Sequence, residues 1–337
     1  MSPRKPSVTA QDVARLAGVS RAVVSRALSS NGSISPDARA RVLRAAEELG
    51  YQVNFLAQGL NRQRSHLIGV IVSRISDPFR SALLDALLNE IQRQGFQALV
   101  SEIHSEQDLA HTLRRFTQFR VSGVIVTSGQ PPEALVNECV QQHIPVVGIN
   151  RQPTIPGVDY VCSDNVAGAE LAADQLLRSG CRRFGWLNHS PSTWAGRMRG
   201  EAFSRALQAR GVDVERNLAI LACPEEGYTG GFQAAALADE ALEGIFCANA
   251  QIACGFLDGM GQRGKQAPED YQLIGFDNTP PTAQYSYQLT TLHQDVAAIS
   301  RQALARLQER TVDPLQPSRT TWVEVTLIHR RTSPFII

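Results

Sequence analysis

Arg21, Ala22, Ser25, Arg26 and Ser29 are spaced i, i+1, i+4, i+5, i+8. At 3.6 residues per turn they share one face of a helix, and Val23, Val24, Ala27 and Leu28 take the other. Fork-shaped guanidinium donors beside hydroxyls suit two acceptors, phosphate oxygens and the edges of bases. A surface helix can carry scattered arginines for no such purpose, so the flanking elements must decide.

Those elements agree with each other. Thr9 followed three residues later by Asp12 reads as a capping box, and Val13, Leu16 and Ala17 recur at helical spacing behind it. Gly18 supplies the left-handed residue that ends this first helix, and Ser20 caps the second. After the loop Ser29-Ser-Asn-Gly-Ser-Ile34, Ser35 and Pro36 open a third helix whose apolar face is Val42, Ala45, Ala46 and Leu49, with Gly50 as its stop. Two short helices about a glycine turn form a helix-turn-helix, whose second helix can lie in a major groove.

Charge distribution agrees. Residues 1–64 hold ten Lys/Arg against four acids, net +6, while the rest holds 23 against 28, net −5. A basic amino-terminal module on an acidic body is the electrostatic footprint of nucleic-acid binding. Residues 1–7 read as a loose basic arm. Asn54 to Asn61 (NFLAQGLN) reads as a helix too short to persist alone in water, so it is expected to order only against a partner. Leu60 would then be an apolar wedge in a minor groove.

From His66 the pattern changes. Ten β-branched runs (67–72, 98–102, 123–127, 145–149, 160–162, 183–187, 218–221, 244–247, 272–276 and 322–328) alternate with amphipathic segments such as 81–94, 108–119, 165–178, 200–209, 230–239 and 296–309. Near-continuous apolar strands between helices imply parallel sheets covered on both faces, here an α/β body of two doubly wound lobes. Expected boundaries are a headpiece at 1–52, a hinge at 53–65 and a core at 66–337. Within the core, lobe 1 takes about 66–163 plus 292–323 and lobe 2 about 164–291 plus 324–337.

In such folds ligands bind at the carboxyl ends of strands. Ser73, Asp77, Asn150 with Arg151, Asp164 with Asn165, Asn188, Asn249 and Asp277 with Asn278 all follow predicted strands. Each alone suits a turn or a cap. Together they suit a polyhydroxylated ligand, and Arg197 and Arg199 add a fork donor.

Other chemistry is weakly supported. Gly259-Met-Gly-Gln-Arg-Gly-Lys265 satisfies two phosphate-loop patterns on paper, but it follows a predicted helix rather than a strand, and Gln266 stands where Ser or Thr is needed. No nucleophile elbow and no Cys/His or carboxylate pair has supporting context, so catalysis is not expected. Six scattered cysteines form no C-x-x-C pair and read as small buried hydrophobes; no cofactor or metal is expected. The amino terminus lacks an apolar signal core, and no run approaches the roughly eighteen residues of a membrane span. The expected location is the cytoplasm. A sugar receptor for transport would need export, and a nicotinamide enzyme a glycine loop in another context.

The chain resembles the LacI/GalR family of transcription regulators over essentially its whole length. The resemblance is carried by Thr9-Ala-Gln-Asp-Val-Ala-Arg-Leu-Ala-Gly-Val-Ser20, Val24-Ser-Arg26, Val42-Leu-Arg-Ala-Ala-Glu-Glu-Leu-Gly-Tyr51, Asn54, Ala57, Leu60, Ile68-Gly-Val70, Asp164-Asn165, Gly275-Phe-Asp277 and Leu289-Thr-Thr291. It implies a homodimer or tetramer with a periplasmic-binding-protein-like core, binding a pseudo-palindromic DNA operator under control of a small polar effector such as a sugar or sugar acid. It favours repression. By position it implies base reading by Arg21, Ala22 and Arg26 and phosphate contacts from Ser20 and Ser25. Thr9, Asn31, Asn54, Ala57 and Leu60 complete the DNA-facing set. It places Ser73, Asp77, Asn150, Asn249, Asp277 and one arginine at the effector. Arg199 is preferred to Arg197, because the spacing of Phe203, Ala206, Leu207 and Gly211 then holds. Val23, Val53 and Ala250 depart from the family's usual Thr, Pro and Asp.

Overall fold

The computed structural model describes residues 8–28, 33–51, 65–127, 133–189 and 193–335. The chain divides into two compact units, Met1–Ser65 and His66–Ile337.

In the first unit, α1 (Ala10–Ala17), α2 (Arg21–Ala27) and α3 (Pro36–Glu48) each begin at the expected hydroxyl cap, Thr9, Ser20 and Ser35. Thr9 and Asp12 form both halves of the capping box, and Gly18 ends α1 at φ 64°. Val13, Ala14, Ala17, Val24, Ala27, Val42, Ala45 and Ala46 make the small core. Arg39 reaches across it, its Nη1 donating to the Ala27 carbonyl at 2.8 Å. Leu16, expected inside, is 47% exposed. The buried stripe of α1 runs through Val13, Ala14 and Ala17, and Leu16 lies about 100° round the helix from its centre.

The second unit holds two six-stranded sheets. The first contains β1 (Leu67–Val72), β2 (Gln97–Glu102), β3 (Gly123–Val126), β4 (Val146–Ile149), β5 (Asp159–Ser163) and β11 (Thr320–Val323), in the order β11-β5-β4-β3-β1-β2 and parallel throughout. The second contains β6 (Phe184–His189), β7 (Leu218–Cys223), β8 (Gly244–Cys247), β9 (Gln272–Asp277), β10 (Thr290–Gln294) and β12 (Val325–Ile328), in the order β12-β10-β9-β8-β6-β7. There only the edge pair of β12 with β10 is antiparallel. The helices are α4 (Pro78–Arg93), α5 (Glu106–Gln118), α6 (Glu133–Gln141), α7 (Asn165–Arg178), α8 (Trp194–Ala209), α9 (Val214–Asn217), α10 (Gly227–Ala235), α11 (Ala250–Gln262) and α12 (Val296–Val312). The first sheet is packed on both faces, by clusters around Phe116 and around Leu87 and Ile299, and the second around Phe203, Phe246 and Phe276.

Two expectations are corrected. The run 322–328 is two strands, not one: β11 completes the first sheet, exposed Glu324 is the step, and β12 enters the second. The step is invisible to a period-2 pattern because both halves are alternating and partly exposed. Residues 290–294, expected to divide between the lobes at 292, form a single strand of the second sheet. The chain therefore crosses between sheets after Ser163, after Gln294 and at Glu324.

The glycines of 259–264 do not form a phosphate loop. Gly259 lies within α11, which packs on α10 so closely that a Cβ there would sit 2.6 Å from that of Ala235. At Gly255 an added Cβ would meet the Tyr228 carbonyl oxygen at 2.0 Å. Backbone cannot yield as a flexible side chain does, so Gly255→Ala is expected to destabilise the core by about 1–3 kcal/mol or more, read as a lower urea midpoint.

Candidate functional site

The first unit leaves its polar face free of its own core. Ser20, Arg21, Ala22, Ser25 and Arg26 are all exposed, while Val24 and Ala27 on the same helix are 1% and 2% exposed. The Ser20 hydroxyl accepts from the Val23 N–H, and Arg26 Nε bonds back to the Ala22 carbonyl at 3.3 Å, steadying its stem along the helix. Thr9 is also exposed, with its hydroxyl engaged by Asp12 at 2.7 Å. Those hydrogen bonds hold the Asp12 carboxyl below its usual range. Asn31, Asn54, Ala57 and Leu60 lie outside the described residues.

In the second unit a cleft of about 310 Å³ lies between the carboxyl ends of the two sheets. Its floor is a chain of buried and half-buried side chains centred on Gln294. Gln294 Oε1 accepts from Ser163 Oγ at 2.5 Å and from Asn150 Nδ2 at 3.3 Å, while its Nε2 donates to Asp277 Oδ1 at 2.6 Å. Asn150 Oδ1 in turn accepts from the Ser163 N–H at 2.9 Å. Asn150 and Asp277 have φ of 51° and 89°. Such backbone costs of order 1–3 kcal/mol and persists where surrounding contacts hold it, characteristically at ligand sites.

Above this floor stands Arg199. Its Nε donates to Asn165 Oδ1 at 2.7 Å and its Nη1 to the Ala248 carbonyl at 2.6 Å, the guanidinium lying 3.5 Å from the centre of the Phe276 ring. Asp277 Oδ1 is 3.9 Å from Nη1. Burial lowers the Arg199 pKa to about 10 and raises that of Asp277 to about 6, the nearby arginine opposing the second shift.

Of the expected effector residues, the structure gathers Asp77, Asn150, Arg199, Asn249 and Asp277 on the cleft. Asp77 and Asn249 also cap α4 and α11, so the capping and site readings coexist. Two are corrected. Arg197 is exposed and does not line the cleft, because two residues on a helix turn the side chain through about 200° from Arg199. Ser73 does not line it either: its Oγ accepts from Arg80 Nη1 at 2.5 Å, and Arg80 stands on the cleft instead. Sequence reasoning missed Gln294 because its strand was missed, and Arg74, Arg80 and Glu226 because single residues in first turns and loops carry no periodic signal; His189, the last residue of β6, lies beyond the expected end of that strand at 187. Arg151, one of the strand-end polar residues but outside the effector set implied by the family resemblance, also lines the cleft.

Residues 9–54 match the family described as bacterial regulatory proteins, lacI family, and residues 173–333 match a periplasmic binding protein-like domain. The chain is 31% identical over 329 residues to the HTH-type transcriptional regulator GalS of Salmonella typhimurium, covering 96% of each protein. The chain belongs to the lacI family of bacterial regulatory proteins. As a member it is a DNA-binding transcriptional regulator, with α1 and α2 as its helix-turn-helix. Its fold is that of the lac repressor dimer bound to operator and the anti-inducer ONPF (TM-score 0.84, 23% identity, 98% of this chain and 100% of that one). A lacI-family regulator from Enterococcus faecium with bound ribose is also similar (TM-score 0.72, 26% identity, 80% of this chain and 100% of that one). Among the described residues no helix is long and apolar enough to cross a membrane.

The raised Asp277 pKa has a thermodynamic consequence. Between its ordinary value of 3.8 and about 6 the folded chain holds a proton that the unfolded chain releases, so ionisation of Asp277 works against folding. Relative to Asp277→Asn, the wild type should therefore lose stability as pH rises from 4 to 6.5 and change no further above it. Urea unfolding of both proteins at pH 4, 5, 6.5 and 7.5 reads this difference.

Proposed function

We propose that this chain is a cytoplasmic, non-enzymatic repressor that binds a pseudo-palindromic operator as a homodimer or tetramer and is governed by a small polar effector in the core cleft. Residues 1–52 are the headpiece, 53–65 the hinge and 66–337 the effector-binding and assembly core. The observation that carries this reading is the exposed Arg21/Ser25/Arg26 face on a helix whose other side is buried in a capped three-helix core. Arg26 and Arg21 read base edges, with Ala22 between them; Ser20 and Ser25 set register on phosphates. Asn31, Asn54 and Ala57 join the DNA contacts, and Leu60 wedges the minor groove.

In the core, Asp77, Asn150, Arg199, Asn249 and Asp277 hold the effector. The operator named for the lac repressor structure and the ribose named for the Enterococcus faecium structure support both halves of the reading. An effector acts only through unequal affinity for two core states, which is what two lobes meeting at a cleft provide. The non-enzymatic reading draws on the thiols. Burial pushes Cys139 and Cys162 up to about 11 and Cys223 and Cys254 up to about 12, far from a nucleophile's range.

Loss of a bidentate guanine contact costs about 1–3 kcal/mol, so Arg26→Ala should weaken binding to the preferred operator about 5- to 150-fold while changing non-specific binding little. Quantitative footprinting at moderate salt measures it. Undiminished operator recognition in the Arg21→Ala, Arg26→Ala double variant would falsify the proposal.

A further inference from the structure

Arginines outnumber carboxylates on the cleft. Four arginines line it, Arg74, Arg80, Arg151 and Arg199, against three carboxylates, Asp77, Glu226 and Asp277. Two of the carboxylates are committed: Glu226 pairs with Arg74, and Asp277 lies beside Arg199. Asp77 spends Oδ1 on the Arg80 N–H as the α4 cap. Arg80 and Arg151, both from the first lobe, thus have no carboxylate within ion-pair distance among the described residues; their guanidiniums bond only to neutral oxygens, of Ser73 and of Thr127.

Arg151 is the sharper case. Its Nε is buried and makes no hydrogen bond. A buried guanidinium with an unused donor costs free energy unless something supplies an acceptor, and beside a second cation the cost rises. Burial and the neighbouring charges of Arg80 and Arg74 lower the Arg151 pKa to about 10, and burial with Arg74 lowers that of Arg80 against the opposing charges of Asp77 and Asp277. The α4 amino terminus faces the same corner and adds its own positive end.

We propose that the effector is an anionic sugar derivative, with hydroxyls on the Asp277 and Arg199 side and an acid group, carboxylate or phosphate, seated on Arg80 and Arg151. This rests on the effector reading of the cleft and narrows it. Paired guanidiniums recognise planar or tetrahedral oxyanions by parallel hydrogen bonds, and a positively lined wall discriminates against the uncharged parent sugar.

Calorimetric titration of the full-length protein with matched sets tests it: glucose, gluconate and glucose 6-phosphate, then ribose, ribonate and ribose 5-phosphate. An anionic member should bind at least tenfold more tightly than its neutral parent, the two anions of each set telling carboxylate from phosphate. Arg151→Gln, and independently Arg80→Gln, should weaken the anion more than the neutral sugar, so that the preference falls below threefold. Neutral sugars binding as tightly as the anions, or both variants keeping the preference, would overturn the anionic assignment and leave the effector site standing. Binding by no member of either set would overturn the effector reading and this inference with it.

Discussion

The structure of the core turns on one buried amide. Gln294 ends a strand of the second sheet at the point where the chain crosses to the first, and its two polar atoms are shared between the lobes: the oxygen faces Asn150 and Ser163, the nitrogen Asp277. All four residues sit at strand ends, and Ser163 and Gln294 are at most 2% exposed. In a dry site every unmade hydrogen bond costs about 1–3 kcal/mol, so the network holds only if both sheets keep their register. The cleft is therefore anchored at its base by contacts that join the lobes, while its walls belong to separate lobes.

The walls differ in character. On the second lobe, Arg199 is tied to Asn165, to a backbone carbonyl and to an aromatic face, which fixes its orientation. On the first lobe, Arg80 and Arg151 are held, among the described residues, by neutral oxygens. One wall positions, and the other presents charge. A ligand that bridges them changes the energetic balance between lobes, which is the requirement for a switch.

The headpiece follows simpler rules. Its helices begin where a hydroxyl can accept an orphan N–H and end where glycine or a short loop permits, and its core is eight small residues. So small a core limits its own stability, since burial scales with size. Nothing in that economy requires the arginines of α2; they are exposed at no cost to the fold.

Local chemistry was legible in the sequence. Caps at Thr9, Ser20 and Ser35, the stop at Gly18 and the apolar phase of α2 are properties of neighbouring residues, and the strands at 67–72 and 244–247 are continuous apolar runs. Asp77, Asn150, Arg199, Asn249 and Asp277 could be nominated because polar residues after apolar runs have few places to go. What local pattern cannot hold is which lobe a strand joins, and so β10 and the β11–β12 step were misassigned. The same limit hid Gln294, Arg80 and the solitary Nε of Arg151. Their meaning lies in partners more than a hundred residues away or in the lack of a carboxylate within ion-pair distance among the described residues, and only the packed chain decides either.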